Sequence, residues 1–459
     1  MLPNTLKYQT KIESSAARSY RSNIQPQNGT GPYGVNQTII INIPTRANLT
    51  MNAANSYLKF RLNLTNPSAA ASVYARWDSS AHSIIQRCRV FHGSNLISDI
   101  DNYNFLAKML FDAQMPADAL LGKFSILSGT RNDMIAINTG SGTTFASTNS
   151  VLSIKGGRRI GSALGSAFGI PATQTVQETY CINLISLVGT LCAEKYLPLF
   201  ACTSAPLRVE LQLVQNVTNA ICSDIPLTLT LDNVEYVAEM IEISDSAISI
   251  INQSLNGQPL QFTVPDYKNY QSTFNLPAGN SSVSIPIPAK FSSLKSILIN
   301  QSDSAKYGAL TFFPLSSNVL NLSSYFFRVG PMVLPSKAPE SIAEFYSESV
   351  KAVANMASLT HQPSIDYDSY SQNLALVNGD TATINGPISS GAFMIGIDTE
   401  NYPSSDKTSL FSGINTCTDD IYFNPQYSNL AAATNIRYTS FACFDTVLIF
   451  ESGTCYVKF

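Results

Sequence analysis

The chain has 459 residues, a formal net charge of −3, and only 13% charged residues beside 24 glycines and 23 prolines. This length exceeds one ordinary core, so two units of one class are expected, and the many turn formers exclude a helix bundle, a coiled coil or a disordered chain. The slight acidic balance excludes a polycation built to hold nucleic acid, and no run nears the roughly 20 apolar residues of a membrane helix.

Residues 1–35 carry Lys7, Lys11, Arg18 and Arg21 against one acid, Glu13, with no apolar period and no apolar signal region. They predict an extended arm rather than a folded element, and secretion is not expected. The arm is either a solvated tail or a segment that lies under the protein against a neighbour, a lipid surface or nucleic acid. Thr38 to Ile43 then forms a β-branched strand closed by Pro44. From Tyr57 to Leu64 the pattern alternates strictly, with Leu58, Phe60, Leu62 and Leu64 on one face and Lys59, Arg61 and Asn63 on the other. That period of two belongs to a half-buried strand.

An apolar strand containing Ile84, Ile85, Cys88 and Val90 meets the turn His92-Gly93-Ser94-Asn95 and the short strand Leu96-Ile97. A helical run follows from Tyr103 to Gln114, with Phe105, Leu106, Met109, Leu110 and Ala113 at helical spacing and Pro116 as its stop. Residues 122–178 are a long Gly-, Ser- and Thr-rich excursion that includes Lys155, Arg158 and Arg159. Neither phosphate-loop spacing occurs there, so a flexible basic contact loop is expected, at a subunit junction or on an exposed surface. Tyr180 to Leu199, the alternating Leu207 to Leu213, and Leu227 to Ile243 complete the first unit.

The second half repeats the order. Tyr325 to Val329, Gly330-Pro331, Met332 to Leu334 and a helical run from Pro339 to Ala357 match the first cassette, and Leu294 to Ile299 matches Tyr57 to Leu64. Offsets of 328−89 = 239 and 294−58 = 236 keep the halves in step, the mark of a duplicated domain. Leu260 to Val264, Phe274 to Ile287, Phe393 to Ile397, Phe441 to Phe450 and Cys455 to Phe459 supply its other strands, and a polar loop covers 359–390. The expected organisation is an arm over 1–35, a first unit over 36–244, a linker over 245–258 and a second unit over 259–459. The fold class is all-β: two tandem eight-stranded antiparallel jelly rolls with short covering helices.

Chemistry-bearing constellations are thin. His82-Ser83 near Asp78 and Asp101 lacks any strained nucleophile turn, and His92 is read as a turn residue. The loop pairs Asp366/Asp368 and Asp419/Asp420 are read as solvated carboxylates, and no Cys/His spacing suits zinc. No enzyme activity, metal or cofactor is expected. The eight cysteines, Cys88, Cys181, Cys192, Cys202, Cys222, Cys417, Cys443 and Cys455, mostly lie in apolar runs without a CxxC and are read as reduced and buried, made in a reducing compartment.

In this order of elements the chain resembles the double jelly-roll major capsid proteins of icosahedral DNA viruses, on the branch of polinton elements, polinton-like viruses, adinto-like viruses and virophages. The resemblance rests on Ser83 to Val90 leading through Gly93 to Asp101-Asn102-Tyr103-Asn104-Phe105-Leu106, on Asn233 to Val237 with Met240 to Ile243, on Ser292 to Ile297, and on Phe444 to Phe450. It implies homotrimeric, pseudo-hexameric capsomers in a virion assembled inside the host cell. The implied partners are the chain itself, penton and minor capsid proteins, and an internal membrane or the genome through the arm. Lys7, Lys11, Arg18 and Arg21 are the candidate inner-surface or inter-capsomer contacts, and Lys155, Arg158 and Arg159 the candidate loop contacts. The rival reading is a receptor- or glycan-binding virion protein, such as a spike, penton or lectin, using loop aromatics Tyr267, Tyr270, Tyr367 and Tyr370. A cupin-type enzyme lacks its His/Glu metal set.

Overall fold

Alternation along 58–64 sets the frame: one face of that strand must be covered, and a second sheet covers it. The computed structural model describes residues 17–69, 73, 75–130, 136–138, 143–145, 159–160, 170–223, 225–310, 312–354, 365, 370–371, 391–401 and 411–459. In the first half, β1 (Ala17–Ile24), β2 (Thr38–Ile43), β3 (Leu49–Thr65), β4 (Ile85–His92) and β5 (Asn95–Asp101) lead into helix α1 (Tyr103–Gln114). Strands β6 (Thr175–Ile182), β7 (Leu207–Leu213) and β8 (Thr228–Ile243) follow, and helix α2 (Asp245–Leu255) connects the halves. These strands form two antiparallel sheets, in the orders β1-β8-β3-β6 and β2-β7-β4-β5.

The second half contains β9 (Leu260–Leu276), β10 (Gly279–Ser282), β11 (Ile285–Ile287), β12 (Leu294–Asp303), β13 (Leu322–Val329) and β14 (Met332–Leu334). Helix α3 (Ile342–Val353), β15 (Ile395–Asp398), β16 (Ile421–Leu430), β17 (Thr434–Glu451) and β18 (Thr454–Lys458) complete it. Its sheets run β9-β17-β12-β15, with β18 added to β17, and β10-β16-β13-β14, with β11 also on β16. Strand for strand the order repeats that of the first half, with its second strand split into β10 and β11. Each half is therefore a jelly roll, and the helix starts keep the offset read from the sequence, 342−103 = 239.

Leu58, Phe60, Leu62 and Leu64 on β3 and Leu207, Val209 and Leu211 on β7 are all buried, as the alternation requires. The opposite face of β3 carries cross-strand charge pairs with β8: Arg61 to Asp232 at 2.7 Å and Lys59 to Glu235 at 3.4 Å. Register shifts in the β3–β8 ladder at Asp232/Glu235 and Val237/Glu239 let these long strands bend around the core.

Two expectations change. Ala17–Ile24, inside the stretch read as an arm without a folded element, is a strand paired along its whole length with β8, from Ala17↔Ile243 to Ile24↔Tyr236. It is the counterpart of β9, and its polar sequence reflects an edge position whose side chains are largely exposed. Residues 265–273, which lie between two predicted strands and carry the expected loop aromatics Tyr267 and Tyr270, instead continue β9. Pro265 is tolerated because β9 is an edge strand of its sheet. All eight cysteines are unbridged, with Cys181 half-buried and Cys417 exposed.

Truncating Leu62 to Ala is expected to cost about 2–5 kcal/mol in urea unfolding, and Lys59→Ala less than about 1 kcal/mol, because only the inward face of β3 excludes water. Equal losses at both positions would contradict this division of the strand.

Candidate functional site at the junction of the rolls

The two rolls meet where β5 and the start of α1 face β9 and β18. At this point Asn102 adopts the left-handed conformation, φ 48° and ψ 40°, which asparagine tolerates better than most residues. The turn aims its buried amide at the second roll. Nδ2 donates to Asn269 Oδ1 at 2.9 Å and Gln271 Oε1 at 3.2 Å, while Oδ1 accepts from Gln86 Nε2 at 2.8 Å and Arg437 Nη2 at 3.4 Å. Arg437, itself 6% exposed, has its guanidinium 4.1 Å from the Tyr307 ring centroid and 4.8 Å from that of Phe105. Those two rings stack at 6.2 Å, so one residue of α1 and one of the second roll share a cation–π contact.

Beside this cluster, buried Asp266 of β9 accepts from Ser98 Oγ at 3.0 Å and from the Tyr267 backbone N–H at 2.8 Å. Burial pushes its carboxyl up to about 7, against the hydrogen bonds and the Lys268 charge that favour ionisation. Neighbouring Asp99 behaves oppositely. Although burial opposes its charge, Arg87 at 2.7 Å to each carboxylate oxygen and Lys268 at 3.3 Å hold it below the usual range.

Further contacts extend the junction. Lys108 of α1 pairs with Asp112 at 2.5 Å and donates to Gly391 O at 2.9 Å, and Asp78 Oδ2 accepts from the Leu315 N–H at 2.6 Å. Eleven of the 12 residues of α1 are buried, against only Phe345 and Ser349 in α3, because α1 is covered from both rolls. His92 was read as a turn residue but ends β4, buried. Its Nδ1 accepts from Cys455 N–H at 3.1 Å, so its Nε2–H donates to Cys202 O at 3.2 Å.

Arg18 and Arg21 lie exposed on β1, where Arg21 Nε donates to Asn23 Oδ1 at 3.0 Å, rather than on a free arm. Arg159 falls in a two-residue strand whose backbone pairs Arg76, not in an irregular loop. Lys7, Lys11, Lys155, Arg158, His361, Tyr367 and the pair Asp366/Asp368 lie outside the described residues, as does nearly all of 359–390. The His82-Ser83 set does not converge. Burial pushes the His82 imidazole down to about 3, and its Nδ1 shares a hydrogen bond with Tyr103 OH at 2.8 Å, while Ser83 Oγ bonds the carbonyls of Ser80 and Ala220. Tyr267 sits in β9 rather than in a loop, and both it and Tyr370 are buried. Tyr370 OH bonds Met394 O at 2.7 Å, so neither presents a face to a sugar. Asp420 pairs with Lys290 at 2.8 Å. The roles of Asn102, Asp266 and Arg437 were not legible in advance. A proline and an aspartate interrupting an apolar strand at 265–266 were the available signal.

No protein-family model and no curated protein matches the sequence. Solved structures do. A chain of the cryo-EM structure of the Sputnik virophage aligns at TM-score 0.59 and 11% identity, covering 100% of this chain and 92% of its own length. The mavirus major capsid protein aligns at 0.56 and 13%, covering 100% and 95%, and the Faustovirus major capsid protein at 0.57 and 10%, covering 97% and 92%. The chain thus has the double jelly-roll fold. That fold is the one of these viral major capsid proteins, here across nearly the full length of both.

Two outcomes follow from the junction. Asn102→Ala is expected to lower stability by about 1–3 kcal/mol, since it leaves buried partners unpaired and strains a left-handed residue. A loss within experimental error would show the amide to be dispensable. For Asp266, the folded chain between pH ~4 and about 7 holds a proton that the unfolded chain has lost, so stability falls as pH rises through that window. Asp266→Asn keeps the acceptor oxygen and removes this loss, so its thermal midpoint should exceed the parent's at pH 8 and converge with it towards pH ~4. Parallel midpoints at both pH values would mean that the carboxyl ionises normally.

Proposed function

We propose that the chain is a structural major capsid protein without enzymatic activity, three copies of which form a pseudo-hexameric capsomer in an icosahedral virion shell. The observation that carries this reading is that the junction between rolls is used once within the chain and left half-open at each end. Inside the chain, β5 of the first roll faces β9 of the second. Among the described residues, nothing from the other roll covers the corresponding elements, β14 of the second roll and β1 of the first: Met332 is 44% and Val333 45% exposed, and β1 is exposed along most of its length. A head-to-tail contact between β14 of one copy and β1 of the next repeats the internal junction, and three such contacts close a ring with six similar sides.

In this arrangement Arg18 and Arg21 stand at the contact between copies. Lys7 and Lys11 serve the inner surface or neighbouring capsomers, with Lys155, Arg158 and Arg159 as loop contacts. Penton and minor capsid proteins are the other partners, and a basic segment before β1 suits an internal membrane or the genome.

Light scattering is expected to give about 3 × 49.7 = 149 kDa for the purified chain, and monomer alone at every concentration would sink the reading. The double substitution Met332→Arg with Val333→Glu should yield a folded monomer, whereas an unaltered oligomer would move the contact elsewhere. Removing residues 1–16 should preserve the trimer while reducing closed particles. Removing 1–24 should also destabilise the first roll, because β1 is lost from its sheet.

A further inference from the structure

The segments around Cys202 and Cys455 come from different rolls and are fastened side by side. Ser204 N donates to Gly453 O at 3.0 Å, Asn95 Nδ2 donates to Cys455 O at 3.3 Å, and the His92 ring bridges the Cys202 carbonyl and the Cys455 N–H. Both cysteines line one apolar cavity of about 10 Å³ with Val90, Ile97, Leu448 and Phe450, and both are buried at 1% and 2% exposure. Cys202 Sγ reaches Pro198 O at 3.5 Å. No other cysteine lines this cavity. Two cysteines that line one small cavity, across a junction that already fixes their backbones, are placed for a bond that needs little rearrangement.

We propose that Cys202 and Cys455 are a disulfide-forming pair that staples the two rolls together when the protein meets a small disulfide oxidant such as glutathione disulfide. In the first step the Cys455 thiolate attacks one glutathione sulfur, giving a mixed disulfide and releasing one glutathione thiolate. The Cys202 thiolate then attacks the Cys455 sulfur, closing the Sγ–Sγ bond and releasing the second glutathione. The two cysteines are oxidised by two electrons in total, glutathione disulfide is reduced to two thiols, and the two protons lost by the cysteines end on the glutathiones. The neighbouring Cys455 and burial both push the Cys202 thiol up, so the reaction is slow while the junction is closed. The cross-link spans 253 residues (455−202), a long loop whose closure restricts the unfolded chain strongly.

The test uses the full-length purified protein. It is incubated with glutathione disulfide at pH 8 or kept in reductant, then unfolded in excess alkylating agent and digested. Oxidised material should carry six alkylated cysteines and a linked peptide pair containing Cys202 and Cys455, and reduced material eight alkylated cysteines. The oxidised thermal midpoint should lie at least about 2 °C above the reduced one. Cys202→Ser and Cys455→Ser, each tested separately, should leave seven alkylated cysteines and no oxidant-dependent rise. Eight alkylated cysteines after prolonged oxidation, or a linked pair made with any other cysteine, would overturn the proposal. So would a variant that still shows the rise.

Discussion

The structure depends on a buried polar junction that sets the register between two β sandwiches. Each roll pairs most of its own strands, and the apolar core runs on between the rolls, where non-directional packing alone sets no register. The junction supplies it. Asn102, Gln271, Asn269 and Arg437 exchange directional hydrogen bonds, and a buried amide or guanidinium left unpaired costs more than a misplaced methyl group. The observed placement gives Asn102 four partners and Arg437 Nη2 two, and neighbouring placements break these bonds. The apolar contact of Phe105 with Tyr307 adds attraction, and the polar set adds register.

That rigidity connects the fold to the proposed role. A shell tile must present the same outline in every copy, and a hinge between rolls would blur it. Helix α1, buried from both sides, and the His92 bridge to Cys455 fix the block at two separate places. Asp266 and Asp99 sit on adjacent strands in one cluster yet are driven in opposite directions, one towards neutrality by burial and the other towards ionisation by Arg87 and Lys268. The junction thereby holds two carboxyl groups without two full like charges facing one another.

Much of the architecture was readable because its causes are local. The alternation from Leu58 to Leu64 needs only neighbours two residues away, and the run from Tyr103 to Gln114 is bounded by its own sequence and by Pro116. The duplication was readable because strand, turn, strand and helix recur at a constant spacing. Strand β1 was hidden because its partner lies 226 residues away (Ala17↔Ile243, 243−17) and its faces meet solvent, so it carries no apolar period. The middle of β9 was hidden because there the polar junction replaces the apolar core. Locally Asn102 reads only as part of a helix start, and its role depends on Arg437, 335 positions further along. Tyr267 and Tyr370 looked like surface aromatics because the polar residues around them suggested loops, whereas pairing and packing put both inside.

In the proposed assembly, contacts between copies repeat the junction within a copy. An electron-microscopy map of the purified oligomer at side-chain resolution tests it most directly. The account predicts density for Met332 and Val333 of one copy lying against residues 17–24 of the next, in the placement that β5 and β9 share inside each chain. A map in which those two residues face solvent, or in which the rolls of a single chain take more than one relative orientation, would contradict it.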